Sequence, residues 1–381
     1  MRFTRLELRN WRNFTAVDVP LGDRVFIVGP NACGKSNLLD AFRFLRDIAE
    51  PQGGLRRAVE HSSRRGVAEL GSLYARRNAD ILIRVGVDLG AAGEWEYALR
   101  FGATSGVPQV REEVVRQGDR VVLERPSPED RDDPSRLTQS HLEQVSTNRG
   151  FRELAAFLAG VRYLHIVPQL VRDSARPVGP PRDPYGSDFL DRLAQTPEAT
   201  RRSHLRRIGE ALKIAVPKLA GLDLYRDDSG TPHLIGAHEH WRARAKWQTE
   251  EQFSDGTLRL LGLLWALLDG DHPLLLEEPE LSLHPAVVRH IVPMMGRVTR
   301  RARGQRRQVI VSTHSIELLD DEGIGGEETL MLVPGKGGTE ARAARDVAEV
   351  RALLENGMTV GRVVLDHVAP ENAEQLTLFG D

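Results

Sequence analysis

The segment Gly29-Pro-Asn-Ala-Cys-Gly-Lys-Ser36 restricts the fold more than any other part of the chain. It fits G-x-x-x-x-G-K-S, a loop whose glycines let backbone N–H groups wrap a phosphate chain while lysine and serine reach the terminal phosphates and Mg²⁺. Its flanks agree. Arg24-Val-Phe-Ile-Val28 is an apolar run suited to a buried parallel strand, and Leu38, Leu39, Phe42 and Leu45 recur at helical spacing. The order strand, glycine loop, helix places a partly positive helix end where phosphate sits. We therefore expect Gly29, Pro30, Asn31, Ala32, Cys33, Gly34, Lys35, Ser36 and Asn37 to surround an ATP molecule, with Ser36 on Mg²⁺.

A second constellation ends another apolar strand, Leu274-Leu-Leu-Glu277-Glu278. Adjacent carboxylates leaving a buried strand repel each other and lose hydration unless a cation or a proton transfer uses them. Beside a phosphate loop both uses exist: Glu277 would bind Mg²⁺, directly or through water, and Glu278 would orient and deprotonate the attacking water. A third element, Phe253-Ser-Asp-Gly-Thr257, opens the almost wholly apolar stretch Leu258 to Leu268, so a small polar turn begins a buried helix. Ser254 or Asp255 can cap it. Such a terminus also binds phosphate, and a second one per chain makes sense if it serves the nucleotide of a partner chain.

These motifs, in this order, resemble the ABC-type ATPases, specifically the soluble branch containing RecF, SMC proteins and the OLD (overcoming lysogenization defect) family. Leu6-Glu-Leu-Arg-Asn-Trp-Arg-Asn-Phe14 is similar to that branch's first strand and turn, Glu277-Glu-Pro-Glu-Leu-Ser-Leu-His-Pro285 to its Walker B and D-loop, and Val309-Ile-Val-Ser-Thr-His-Ser315 to its switch strand. Together they span roughly 150 residues. The resemblance implies an α/β fold: an ATPase head with a mixed β-sheet, an antiparallel β subdomain and an inserted helical lobe. It also implies that Ser254 and Gly256 touch the γ-phosphate in trans across a homodimer and that His314 holds it in cis.

The chain departs from the pattern at several points. Cys33, the single cysteine, stands where the branch usually has Gly, Ser or Ala; it excludes internal disulfides and suits a reduced cytoplasmic setting, and it reads either as an inert loop residue or as a point of sensitivity to oxidation. Asp255 replaces the first glycine of the transporter-type signature, and His284 replaces the D-loop aspartate. For the Mg²⁺-sensing glutamine, Gln52 and Gln169 are both candidates.

No apolar run approaches the roughly 18 residues of a membrane span, and the first thirty residues lead straight into the phosphate loop, so neither a membrane segment nor a signal peptide is expected. Net charge is −2, which gives the whole molecule no strong field for nucleic acid. Local charge differs. Arginines crowd Arg297 to Arg307 (Arg297, Arg300, Arg301, Arg303, Arg306, Arg307) and recur at Arg201, Arg202, Arg206 and Arg207. Each group reads either as a patch for the DNA backbone or as a solvated helix surface in a chain where only five of the 52 basic residues are lysine.

The expected organisation is an N-terminal half of the head at 1–125, an inserted, largely helical lobe at 126–225, a C-terminal half of the head at 226–344, and a C-terminal helix and tail at 345–381. Within it, antiparallel strands are expected from about Ala79 to Glu124, a helical portion at Gln144 to Gly160, a strand at Val161 to Val167, and helices at Asp188 to Leu193, His204 to Leu219 and Arg345 to about Leu365. No sustained heptads occur, which excludes a long coiled-coil arm. The 67 residues after His314 leave no room for the nuclease domain that OLD nucleases carry, so nuclease or effector activity is expected from a partner. The tail Gln375, Leu376, Leu378 and Phe379 is similar to the peptide with which bacterial repair proteins dock on the sliding clamp, the alternative being that it folds back on its own core.

Overall fold

The computed structural model describes residues 1–61, 63–75, 79–172, 183–238, 247–298 and 307–368. The strands, in chain order, are β1 (Arg2–Trp11), β2 (Phe14–Pro20), β3 (Arg24–Val28), β4 (Ile81–Asp88), β5 (Glu94–Thr104), β6 (Val107–Gln117), β7 (Arg120–Arg125), β8 (Arg162–Leu164), β9 (Leu219–Arg226), β10 (Pro232–His238), β11 (Trp247–Thr249), β12 (Leu274–Glu277), β13 (Val309–Thr313), β14 (Thr329–Gly335) and β15 (Gly338–Ala343). The chain divides into two compact units, one formed by Met1–Val161 with Arg307–Asp381 and the other by Arg162–Arg306.

The first unit holds two sheets. One is antiparallel throughout, in the order β2-β1-β4-β5-β6-β7. In the other, β3 pairs in parallel with β13 on one side and β14 on the other, and β15 extends β14 as a hairpin. β13 is buried at every position and β3 at all but Arg24, as apolar runs between covering layers require. The helix Lys35–Ala49 is enclosed: Leu38, Leu39, Phe42, Phe44, Leu45 and Ile48 are inaccessible, with Phe42 packed on Phe3 (centroids 4.7 Å apart) and Phe44 on Trp11 and Phe101. Its charged positions are also covered. Arg64 lies over the Phe44 ring and makes a bidentate pair with Asp40 and a further ion pair with Asp47, so these carboxylates enter the interior neutralised. A second buried network joins Arg125 to Glu113 and Asp130.

In the second unit β8 pairs in parallel with β12, and β9, β10 and β11 form an antiparallel sheet. The helix Asp255–Leu268 is its apolar centre. Gly262 sits in mid-helix because a Cβ there would fall 1.7 Å from Ile166 Cδ1, and Trp265 meets Phe189 and His204 edge-on.

The expected antiparallel strands appear as β4 to β7. Elsewhere the local outcome differs from the expectation. Only Arg152–Ala159 of the Gln144 to Gly160 portion is α-helical, preceded by the 3₁₀ turn Asn148–Phe151, and the strand expected to Val167 ends at Leu164. The helix expected from His204 spans Glu198–Ala215, because residues before the apolar stripe form its solvent face. The single C-terminal helix is two, Ala348–Glu355 and Val360–His367, interrupted at Gly357, whose φ of 84° no helix accommodates. The tail residues Gln375, Leu376, Leu378 and Phe379 lie outside the described residues, as do Arg300, Arg301, Arg303 and Arg306.

Candidate functional site

In the first unit, the loop from Gly29 to Gly34 leaves β3 and turns into the helix at Lys35. Ala32 (φ 62°) and Gly34 (φ 102°) take positive φ, and Gly29 is so closely approached that a Cβ would lie 2.6 Å from Cys33 Sγ and 2.7 Å from the Leu332 carbonyl. The N-cap residue Gly34 makes no side-chain capping bond, and a helix start of this kind suits an anion. Lys35 is only 7% exposed, and its ammonium donates to the loop's own carbonyls, Gly29 O at 3.0 Å and Pro30 O at 3.2 Å. Those carbonyls hold the cation inside the loop. Ser36 is exposed at the helix start.

The loop is braced by residues from the turn after β1. Asn13 Nδ2 donates to Cys33 O at 2.6 Å and to Thr339 Oγ1 at 2.7 Å, while its Oδ1 accepts from Asn37 Nδ2 at 2.8 Å; Trp11 Nε1 donates to Asn37 O at 2.7 Å. In this structure Asn37 is therefore engaged with Asn13. The brace depends on Asn13 and Thr339, 326 residues apart, and the pairing has no signal in sequence beyond the Arg-Asn-Phe turn. Cys33 is 1% exposed, and burial pushes its thiol up from the usual range despite nearby Lys35. Burial and a raised thiol favour the reading of Cys33 as an inert loop residue over a point of oxidation.

His314 follows β13, whose register sets Thr313 opposite Val28, the residue before Gly29. It is exposed and stands at the level where the phosphate loop begins.

In the second unit, Ser254 caps the helix Asp255–Leu268, its Oγ accepting from Thr257 N at 3.1 Å, and it is exposed. Asp255 is held by Arg172 at 2.6 Å and by the amide of Gln169 at 3.3 Å. Of the two candidate glutamines, Gln169 thus lies beside the signature, whereas Gln52 sits in the first unit at a left-handed turn (φ 64°). Gly256 packs on the D-loop: a Cβ would meet the Ser282 carbonyl at 2.6 Å. His284 caps the next short helix by accepting from Ala286 N, the local task that explains its presence there.

Glu277 ends β12 and Glu278 follows it in a left-handed conformation (φ 43°), an uncommon state for a non-glycine residue that turns the chain out of the strand. Two features escape sequence reading. Arg259, one turn into the signature helix, lines a small cleft with Glu277, Glu278 and Pro279; burial holds its guanidinium below the ordinary value, against the pull of Asp255 and Glu278. On β8, the Tyr163 hydroxyl donates to Glu277 Oε2, and just beyond it His165 Nδ1 lies 3.3 Å from the Glu277 carbonyl.

Mg²⁺ held with a nucleotide uses one or two protein oxygens and completes its shell with phosphates and water. The first unit offers the exposed Ser36 hydroxyl at the phosphate loop, and the second offers the Glu277 carboxylate at the end of β12. Among the described residues there is no group of three or more His, Cys, Asp or Glu arranged as a self-sufficient metal cage. The arginine groups are only partly available. Arg307 is 2% exposed and so cannot meet DNA, and Arg201 Nη1 donates to the carbonyls of Leu193, Ala194 and Thr196. Arg202, Arg206 and Arg207 are exposed. No helix among the described residues is long and apolar enough to cross a membrane.

The phosphate loop after β3 and the acidic end of β12, carried on these sheets, are those of an ABC-type ATPase head, with likeness to RecF and SMC proteins. The chain belongs to the family described as "AAA domain, putative AbiEii toxin, Type IV TA system", whose model matches residues 24–320. Among solved structures it is similar to an SMC head bound to the C-terminal winged-helix domain of ScpA, with TM-score 0.58 and 13% identity over 90% of this chain and 98% of that one. It is likewise similar to the Pyrococcus furiosus Smc head with an extended coiled coil bound to the C-terminal domain of ScpA, with TM-score 0.54 and 12% identity over 93% and 99%. Those likenesses establish the fold. Curated relatives include the DNA replication and repair protein RecF of Brucella abortus, 37% identical over 94 residues, and of Roseiflexus castenholzii, 33% identical over 118. These alignments cover 24% and 29% of this chain, and 23% and 29% of the respective relatives.

Proposed function

We propose that the protein binds and hydrolyses ATP with Mg²⁺, dimerises around two ATP molecules, and acts in the cytoplasm as a DNA-linked regulatory clamp, in repair or antiphage defence, whose nucleotide state gates a separate nuclease or effector. The observation that carries the reading is the P-loop itself: a braced loop, an uncapped helix end and a lysine already inside it. On nucleotide binding, Lys35 would exchange its carbonyl partners for phosphate oxygens, and Ser36 and Glu277 would be the residues to hold Mg²⁺, which would supply charge neutralisation. Glu278 takes the proton of the attacking water, and His314 holds the γ-phosphate from the switch strand. Ser254 and Gly256 serve the γ-phosphate of the partner chain. Because that phosphate then touches both chains, binding joins them and hydrolysis releases them.

The link to DNA is supported by the RecF relatives, whose name is that of a DNA replication and repair protein, and by exposed Arg202, Arg206 and Arg207 on one helix. The test is Glu278→Gln in ATP and Mg²⁺. Light scattering should show a stable dimer with little turnover; a monomer under saturating ATP sinks the clamp. DNA should also stimulate the wild-type ATPase, with a steep salt dependence. Changing the three arginines to glutamine should make that dependence shallower, by about 1 in the log–log slope for each arginine that neutralises a phosphate. Stimulation by a partner protein alone points instead to a scaffold whose ATP state controls release of a bound protein.

A further inference from the structure

We propose that Tyr163 is a positioning residue for the Glu277 carboxylate, fixing it as a cation ligand; the inference rests on the assignment of Glu277 to Mg²⁺ made above. The strand β8 runs parallel to β12 with Leu275 opposite Tyr163 and Leu276 opposite Leu164. Tyr163 lies within β8, and His165 follows just after the strand ends. Together they hold Glu277 twice, Tyr163 by its hydroxyl on Oε2 and His165 by its ring on the main-chain carbonyl. The strand end is thus fastened at the residue where chemistry is expected.

The choice of residue is informative. Tyr163 is 8% exposed at the middle of β8, where phenylalanine would pack without a polar atom to satisfy. The hydroxyl is retained beside a carboxylate and donates to it. An ionised carboxylate has about four acceptor sites. The phenol uses one on Oε2 and limits the rotation of a long side chain that would otherwise be ordered only when a cation arrives. Partners that orient metal ligands in this way typically change metal affinity by about 10- to 100-fold when removed.

The experiment is Tyr163→Phe, Glu277→Gln and the double variant, read by the binding of Mn²⁺ as a paramagnetic substitute for Mg²⁺ in the presence of a non-hydrolysable ATP analogue. Affinity for the analogue without metal is measured in parallel. Phenylalanine keeps the ring, so packing is preserved. Expected are a loss of about 10-fold or more in Mn²⁺ affinity for Tyr163→Phe, metal-free nucleotide affinity within about twofold of the wild type, and no further loss when Tyr163→Phe is added to Glu277→Gln. Unchanged Mn²⁺ affinity in Tyr163→Phe overturns the proposal while leaving Glu277 as a ligand. Losses that simply add in the double variant also overturn it, because Tyr163 then acts elsewhere. If Glu277→Gln itself leaves Mn²⁺ binding intact, the underlying assignment of Glu277 has failed instead.

Discussion

Replacing Asn13 with alanine tests whether the phosphate loop is held in shape from outside. The side chain makes three hydrogen bonds, to Cys33 O, Thr339 Oγ1 and Asn37 Nδ2, at 2.6 to 2.8 Å. At about 1 kcal/mol net apiece, their loss costs about 3 kcal/mol. A domain of this size loses about 2–4 °C in midpoint per kcal/mol, so thermal unfolding of Asn13→Ala should begin roughly 6–12 °C lower. Nucleotide affinity, followed with a fluorescent ATP analogue below the new midpoint, should fall about tenfold or more, because ATP must then order a loop that the wild type presents already formed. Gly34→Ala supplies the control. A Cβ at Gly34 would lie 2.2 to 2.6 Å from three atoms of the Asn13 side chain, in addition to the strain of φ 102°. The steric part disappears once Asn13 is alanine, so the two substitutions should be less harmful together than their sum. Wild-type melting and affinity in Asn13→Ala, or strict additivity within about 0.5 kcal/mol, would refute the brace.

Two further outcomes follow from the structure. Gly256→Ala should weaken the proposed ATP-dependent dimer while sparing nucleotide binding by the monomer, since a methyl 2.6 Å from the Ser282 carbonyl forces the start of the helix Asp255–Leu268 to shift; light scattering and analogue titration separate the two. Glu143 is pushed up to about 7, chiefly by burial and secondarily by Glu113, against the Leu55 N–H it accepts and the charge of Arg125. A carboxyl raised in the folded state binds more protons folded than unfolded between its two pKa values, so its contribution is complete in acid and is lost as pH rises towards 7. The slope is at most about 1.4 kcal/mol per pH unit and smaller here because the group is partly solvated. Chemical denaturation from pH 4.5 to 7.5 should show Glu143→Gln losing less stability than the wild type over that range; parallel curves would refute the burial argument.

The phosphate loop was legible because its chemistry is local: glycines, lysine and serine act within eight consecutive residues between a strand and a helix whose periodicities are strong. The helix Asp255–Leu268 was legible for the same reason, a polar turn before an apolar run. Composition alone misled where neighbours decide the outcome. Arg307 belongs to a basic run by sequence yet is buried, and the long C-terminal helix breaks at Gly357, whose positive φ is set by the turn it occupies. The long-range partners of the site were not legible at all. Asn13 finds Thr339, and Tyr163 finds Glu277, only because strands distant in sequence are set side by side.

What the sequence by itself determined is the class of the protein and the strand, glycine loop and helix start that carry the candidate nucleotide-binding groups. Short-range spacing suffices for that, since backbone geometry converts it directly into a loop and a helix end. Tertiary structure decided how those groups are held: the cation of Lys35 kept by loop carbonyls, the loop braced by Asn13, the thiol of Cys33 shut away, and Glu277 fastened by β8. The physical reason is that a side chain's rotamer, ionisation and accessibility depend on everything within a few ångströms, and most of those neighbours come from elsewhere in the chain.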